Sequence, residues 1–240
     1  RDRSVSRGLG DVYKRQESGT LVSGIIGGLY SSTATISVLA RKSRKASEQE
    51  ATDYVAAMLL AVSMMFLRFM ILILIFSREI FLSIYPYLLT MAVVAAIVAW
   101  FIHSRQKRPE DQPAETEEDD SSNPLEFKVA LIFAVLFVIF TFLTHYTLVY
   151  AGTGGLNLLS FVSGFSDITP FILNLLQNTG SVAALIITAC SMQAIISNIM
   201  VNMFYALFFA GKGSKLRPWI LGGFGVVITC NLVLLLFFYI

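Results

Sequence analysis

The sequence predicts an all-α polytopic membrane protein, a helix bundle of about seven hydrophobic segments. Three observations predict it. Hydrophobic residues make up 55% of the 240 residues, and the mean hydropathy is +0.69. Charged residues make up 14%, where a soluble domain carries roughly a quarter. Those charges are clustered, which leaves uncharged runs of the about 20 residues that a helix needs to cross a bilayer. Helices are the expected elements because hydrocarbon offers no water to backbone donors and acceptors, and a helix satisfies them within its own segment.

The opening "RDRSVSRGLGDVYKRQ" is polar and basic and has no apolar core, so it is no signal peptide. DVYKRQ can be encoded by GAT-GTG-TAT-AAG-AGA-CAG, the transposase end used to build sequencing libraries, and RDR by another frame of the same string. Residues 1–16 are therefore expected to be translated adapter, packing against nothing, with the natural protein continuing upstream. The seven apolar segments follow: Leu21–Ala40, Tyr54–Phe76, Ile80–Ile102, Val129–Tyr150, Leu156–Leu176, Val182–Ala210 and Trp219–Ile240. The stretch 104–128 is rich in Pro, Ser and acids and has too few apolar residues to build a core, so it reads as a solvated linker. It divides residues 17–103, with the first three segments, from 129–240, with the last four.

Lys and Arg set the orientation. On a seven-span path one side collects Arg41, Lys42, Arg44, Lys45, Arg105, Lys107, Arg108 and Lys128. The other collects Arg78, Lys212, Lys215 and Arg217. The larger group and the acidic linker are thus expected in the cytoplasm, with Ile240. The loop "GKGSKLR" runs against the rule, and a hairpin at the fifth segment, broken near Pro170, would return it to the cytoplasm.

Two stretches echo one another. "SGIIGGLYSSTATISVLA" superposes on "LSFVSGFSDITPFILNLL" with Gly28 on Gly164 and Thr33 on Thr169, and the next segments place Ser63-Met64 on Ser191-Met192 after a short deletion. Counted through seven spans, the repeat would be parallel, a symmetry known among transporters.

Gly24, Gly28 and Ser32 fall four residues apart on one helix face, a small-residue seam that lets another helix approach closely. Ser31 and Thr35 make a neighbouring hydroxyl stripe, and Ser31, Ser32, Thr33 and Thr35 are candidates to line a polar pathway or substrate site. Arg68 lies about 12 Å of helical rise from its segment's end, too deep to reach water cheaply, so it needs an internal partner. Asp167 is the one acid well inside any apolar segment, so an Arg68–Asp167 pair is one expectation. The other has Arg68 on backbone carbonyls or cavity water, and Asp167 capping a broken helix. Asp167 precedes Thr169-Pro170, where a proline favours a helix start or break, and freed backbone groups at membrane depth survive only inside protein or at a watery cavity. Asn198 and Asn202 share a face and either line that cavity or join helices.

No enzyme is expected, and no catalytic residue is assigned. "GFSDI" fails the nucleophile elbow at its last position, and no zinc-protease, phosphate-loop or zinc-ligand spacing occurs. Cys190 and Cys230 sit in apolar runs and read as core residues. No metal, cofactor or nucleic acid is expected as a ligand.

"SGIIGGLYSSTATISVLARKSR" fits G-x-x-G-G-L-x-S-S-T-A-T-x-x-x-A-R, and with Arg68, "SGFSDIT" and "SNIMVNMFYALFFAG" it resembles the C-terminal domain of unknown function (DUF4010) of MgtC/SapB-type bacterial membrane proteins. The resemblance covers Leu21 to Gly211. Two positions depart from it: an expected acid stands as Thr169, and an expected base near Asn202 is absent. The resemblance implies a multi-pass protein of the bacterial inner (cytoplasmic) membrane whose N-terminal MgtC-like membrane domain is missing here. Relatives of that missing domain are associated with growth at low magnesium, virulence and regulation of membrane ATPases.

The function expected is transporter-like binding or passage of a small solute or ion at a polar intramembrane site formed by Ser31, Ser32, Thr33, Thr35, Arg68, Asp167, Thr169 and Asn198. The alternative is a regulatory protein that binds another membrane protein and transports nothing. The expected partners are the lipid bilayer, the missing N-terminal membrane domain, and a second copy or another membrane protein.

Overall fold

The computed structural model describes residues 3–44, 46, 48–105, 125–177, 183–211 and 214–239, and among them there is no strand. The elements are α1 (Arg3–Lys42), α2 (Glu48–Phe76), α3 (Arg78–Ser104), α4 (Leu125–Ser163), α5 (Ile168–Gln177), α6 (Ala184–Ala210) and α7 (Arg217–Tyr239). Two are broken, α1 at Ser31 and α4 at Gly152. Five stretches are long and apolar enough to cross a membrane: Gly19–Lys42, Thr52–Phe76, Arg78–Ser104, Ala184–Ala210 and Arg217–Phe237. The chain is a multi-pass membrane protein. The side chains of residues 1–16 and most of the linker 104–128 lie outside the described residues.

The chain forms two compact units, Arg1–Pro109 with Ile199–Ile240, and Glu110–Asn198; α6 begins in the second and ends in the first. In the first unit α1 is a helical hairpin rather than a rod. Eight residues apart on a straight helix, Gly27 and Thr35 would stand about 12 Å from one another. Here the Thr35 side chain occupies the space beside Gly27 where a Cβ would sit. The ascending half lies along α2 in the same direction, with Gly24 against the Ala57 backbone and Gly28 against Ala61. The descending half returns to the edge from which α2 starts, where Arg44 follows it.

Helices α2 and α3 form an antiparallel pair. Ser77 caps α3 at 3.4 Å from the Ile80 N–H, and the Ser63 hydroxyl donates to the Ala92 carbonyl at 2.8 Å. At the basic edge His103 Nδ1 and the buried Asp53 Oδ1 lie 2.7 Å apart. Arg44 donates from Nη2 to the Phe208 carbonyl at 3.1 Å and from Nε to that of Phe209, while Arg41 stands 4.3 Å above the Phe209 ring. The C-terminus of α6 is therefore at the edge where α2 begins. From there α7 runs antiparallel to α3: a Cβ on Gly223 would meet Ile102, and the Tyr87 hydroxyl donates to Asn231 Oδ1.

This path corrects two expectations. The fifth apolar segment does not cross as one helix: it is two short helices, Gly154–Ser163 and Ile168–Gln177. The loop that carries Lys215 and Arg217 shares the edge with Arg41, Lys42, Arg44 and Arg105, which leaves Arg78 opposite and carries the end of α7 to Arg78's side. The basic residues are then consistent with one orientation. The seven-span count fails because a long apolar stretch satisfies the length rule whether it crosses or folds back on itself.

In the second unit the chain reverses at Gly152, with φ 58° and ψ −148°, a conformation open to glycine and strained for other residues. Across that turn a Cβ on Gly155 would strike the Thr147 side chain. Beyond it Gly154–Ser163 runs beside α6 in the same direction: Asn157 meets Cys190, Ser160 meets Gln193, and Gly164 meets Ser197 and Asn198. Helix α5 must then turn back. Ala184 stands about 21 Å of rise before Asn198, and α5 adds about 15 Å. Onward travel would leave about 36 Å to cover between Gln177 and Ala184, and the fully extended chain there reaches about 24 Å. Thr141 Oγ1 accepts from Asn174 Nδ2 at 2.9 Å, and Phe140 packs on Phe171, fixing α5 against the first part of α4.

Candidate functional site: two broken helices

The tips of the two hairpins are built alike. Ser31 has extended backbone (φ −155°, ψ 108°), and its hydroxyl accepts from the Ala34 N–H at 3.3 Å, as an N-cap does for the half-helix that follows. The break frees the Tyr30 carbonyl, which takes the Arg68 Nη1 donor at 2.6 Å. The guanidinium also stands 5.2 Å over the Phe69 ring. Ser32 is buried beside the Gly24–Gly28 seam, Thr33 accepts from the Ser37 hydroxyl at 2.8 Å, and Thr35 fills the angle against Gly27.

At the second tip, tight turns through Gly164, Phe165 and Ser166 close the first arm. Asp167 Oδ1 then accepts from the Thr169 N–H at 2.9 Å and its hydroxyl at 2.7 Å, capping α5. Pro170 sits in the first turn of α5, where its missing N–H is no loss. Asn198 Nδ2 donates to the Gly164 carbonyl at 3.2 Å and lies 3.5 Å from that of Ser166. The superposition of Gly28 on Gly164 puts Ser31 on Asp167 and Tyr30 on Ser166. Both capping residues coincide, and each freed carbonyl receives a side chain from the long helix that follows. Gly28 meets Ala61 as Gly164 meets Ser197, at the same separation along the chain, so no deletion is needed and the Ser63–Ser191 match is out of register.

For Arg68 and Asp167 the second expectation describes what each does inside its own unit: one binds a backbone carbonyl, and the other caps a helix. Asn198 joins α6 to the tip of the arm beside it, the helix-joining alternative. Sequence reading missed the polar seam between the Gly154–Ser163 arm and α6. There Cys190 Sγ donates to Asn157 Oδ1 (3.4 Å), Ser160 Oγ to Gln193 Oε1 (2.8 Å) and Ser197 Oγ to the Phe161 carbonyl (2.6 Å). The cluster "GTGGLN" was its available signal. Among the described residues no group of three or more His, Cys, Asp or Glu could hold a metal ion.

Chemically, each tip presents the positive end of a short helix dipole beside carbonyls released from their ladder. Broken helices of this kind hold ions and polar solutes in secondary transporters. The Asp167 carboxylate is exposed and adds a negative charge to the second tip.

The sequence is 25% identical over 228 residues to an uncharacterized protein of Aquifex aeolicus (strain VF5), a match covering 92% of this chain and 96% of that one. No solved structure matches it. The model of the domain of unknown function DUF4010 matches residues 12–210, most of both units and both tips, and the chain belongs to that family.

Proposed function

We propose that the protein binds and passes a small solute or ion at its hairpin tips, without enzymatic chemistry, in the bacterial inner membrane. The basic edge faces the cytoplasm, where Lys and Arg collect. The observation that carries this reading is the matched pair of broken helices, one in each unit, each with a capped tip beside freed carbonyls. The α1 hairpin lies along α2 in the first unit, and the second hairpin lies along the start of α6 in the second. Read with the echo in the sequence, the hairpins are two copies of one broken-helix device, and broken helices recur in secondary transporters. Ser31, Ser32, Thr33 and Thr35 would serve binding at the first tip, with the carbonyl held by Arg68. Asp167, Thr169 and Asn198 would serve it at the second tip, where the Asp167 carboxylate favours a cation.

The test is thermal stability of the purified protein against a panel of sodium, potassium, magnesium and protons. A bound ion at a hundred times its Kd should stabilise by about 2.7 kcal/mol, a Tm rise of roughly 5–11 °C, and Asp167→Asn should remove the response. A panel without effect, or a response untouched by Asp167→Asn, would overturn the assignment. The MgtC/SapB resemblance favours a second reading, regulation of another membrane protein. A stoichiometric partner co-purifying with a protein indifferent to every ion would establish it.

A further inference from the structure

Within the first unit, the edge where α1 and α3 end and α2 and α7 begin is strongly basic. Among the described residues it carries Arg41, Lys42, Arg44, Arg105, Lys215 and Arg217, against Glu48, Glu50 and Asp53 in the first two turns of α2. Six cations against three acids leave it positive, and the Asp53 carboxylate is buried on His103. Arg44 gathers part of this charge. It binds the Phe208 and Phe209 carbonyls, and a Cβ on Gly211 would lie 3.6 Å from its Nε. The chain then coils: the Ser214 N–H donates to the Gly211 carbonyl at 3.4 Å, the Arg217 N–H donates to that of Ser214 at 3.3 Å, and buried Leu216 anchors the loop. Such turns hold their ends within about 7 Å. Lys215 and Arg217 therefore start within two turns of the Arg44 contact, and Arg41, 4.3 Å above the Phe209 ring, shares the same end of α6.

Apolar surface begins directly below these charges. Phe208 is 62% exposed at the end of α6, and Leu221 is 48% exposed one turn into α7. On α3, Arg105 stands 4.5 Å over the ring of the exposed Phe101. A soluble anion would use the charges alone, whereas a molecule with an anionic head and apolar tails uses both surfaces.

We propose that the basic edge binds anionic phospholipid, with the headgroup phosphate on Arg41, Lys42, Lys215 and Arg217 and the acyl chains along Phe208 and Leu221. Arg44 joins α1 to α6 beneath the headgroup. Arg41 lies about 15 Å of helical rise from Ser31, so this site is separate from the hairpin tips and does not depend on what they bind.

The test is native mass spectrometry of the full chain released from detergent micelles doped with dioleoylphosphatidylglycerol. Dioleoylphosphatidylcholine, with the same chains and no net charge, and glycerol 3-phosphate, with a phosphate and no chains, are the comparison arms. Phosphatidylglycerol should be retained and the other two lost. Each cation removed from the surface should weaken retention about fivefold. Arg41→Gln and Lys215→Gln should each show that loss, and Arg78→Gln at the opposite edge should show none. Lys215 is exposed in a loop, so its variant serves if Arg41→Gln does not fold. Equal retention of phosphatidylcholine, an affinity unmoved in either variant that folds, or an equal loss in Arg78→Gln overturns the proposal. Glycerol 3-phosphate bound as tightly as the lipid would identify a site for soluble anions and overturn its membrane source.

Discussion

Substituting Gly28 by Ala tests the seat of the first hairpin. An added Cβ would lie 2.5 Å from the Ala61 Cα and 2.8 Å from its carbonyl oxygen. Both are backbone atoms of a buried helix, so neither can rotate aside. Restoring ordinary contact at about 3.4 Å requires the two helices to part by roughly 0.9 Å. Carried two residues along to the tip, that shift would stretch the 2.6 Å bond from Arg68 to the Tyr30 carbonyl to about 3.5 Å, beyond useful hydrogen-bond range. Overpacking alone costs about 1–3 kcal/mol, which for a chain of this size is a Tm loss of roughly 2–12 °C. Helix propensity works the other way, since Ala is better than Gly in a helix by up to about 1 kcal/mol. The internal control is Gly222→Ala in α7, where the new Cβ meets nothing within 4 Å. The assay is thermal unfolding in detergent, followed by loss of the monodisperse gel-filtration peak. Gly28→Ala should melt well below wild type and Gly222→Ala at or above it. Equal melting of the two variants would refute the close approach of α1 to α2.

Two further outcomes follow from the fold. A phosphatase fused after Ile240 should be active and a fluorescent protein there dark, because α7 leaves the basic edge; the reverse pattern would restore a cytoplasmic C-terminus. Tyr87 and Asn231 meet between α3 and α7. A double-mutant cycle with Tyr87→Phe and Asn231→Leu should therefore give a coupling of about 0.6–1.7 kcal/mol in unfolding measurements, and strict additivity would place the two groups apart.

The helical class and the break at Asp167 were legible because they depend on local chemistry, whereas the breaks at Ser31 and Gly152 were not. Small residues at four-residue spacing mark Gly24 and Gly28 as a seam, and Asp167 before Thr169-Pro170 marks a capped helix start. The direction of travel was not legible. Whether Leu21–Ala40 crosses or returns depends on one extended residue, Ser31, which shares its stretch with other hydroxyls equally able to cap. Charge did carry the answer: the basic loop with Lys215 and Arg217 was out of place on a seven-span path and is in place on this one. Arg68 was legible as a residue needing a partner, but a backbone carbonyl bears no signature in sequence. The polar seam of Asn157, Ser160 and Gln193 was invisible because its members sit on two segments whose register only packing sets.

The grip of Arg44 on the end of α6 joins groups 165 residues apart in the chain. At a synthesis rate of about 5–20 residues per second, the first hairpin is complete roughly 8–33 s before its receiving carbonyls exist. During that interval the Arg44 guanidinium has no α6 carbonyl to bind. Anionic headgroups suit it, each Lys or Arg near the surface contributing about 1 kcal/mol. Assembly is then a hand-over, in which lipid holds the loop until the sixth helix arrives to displace it, and a membrane poor in acidic lipid should delay the folded state rather than weaken it.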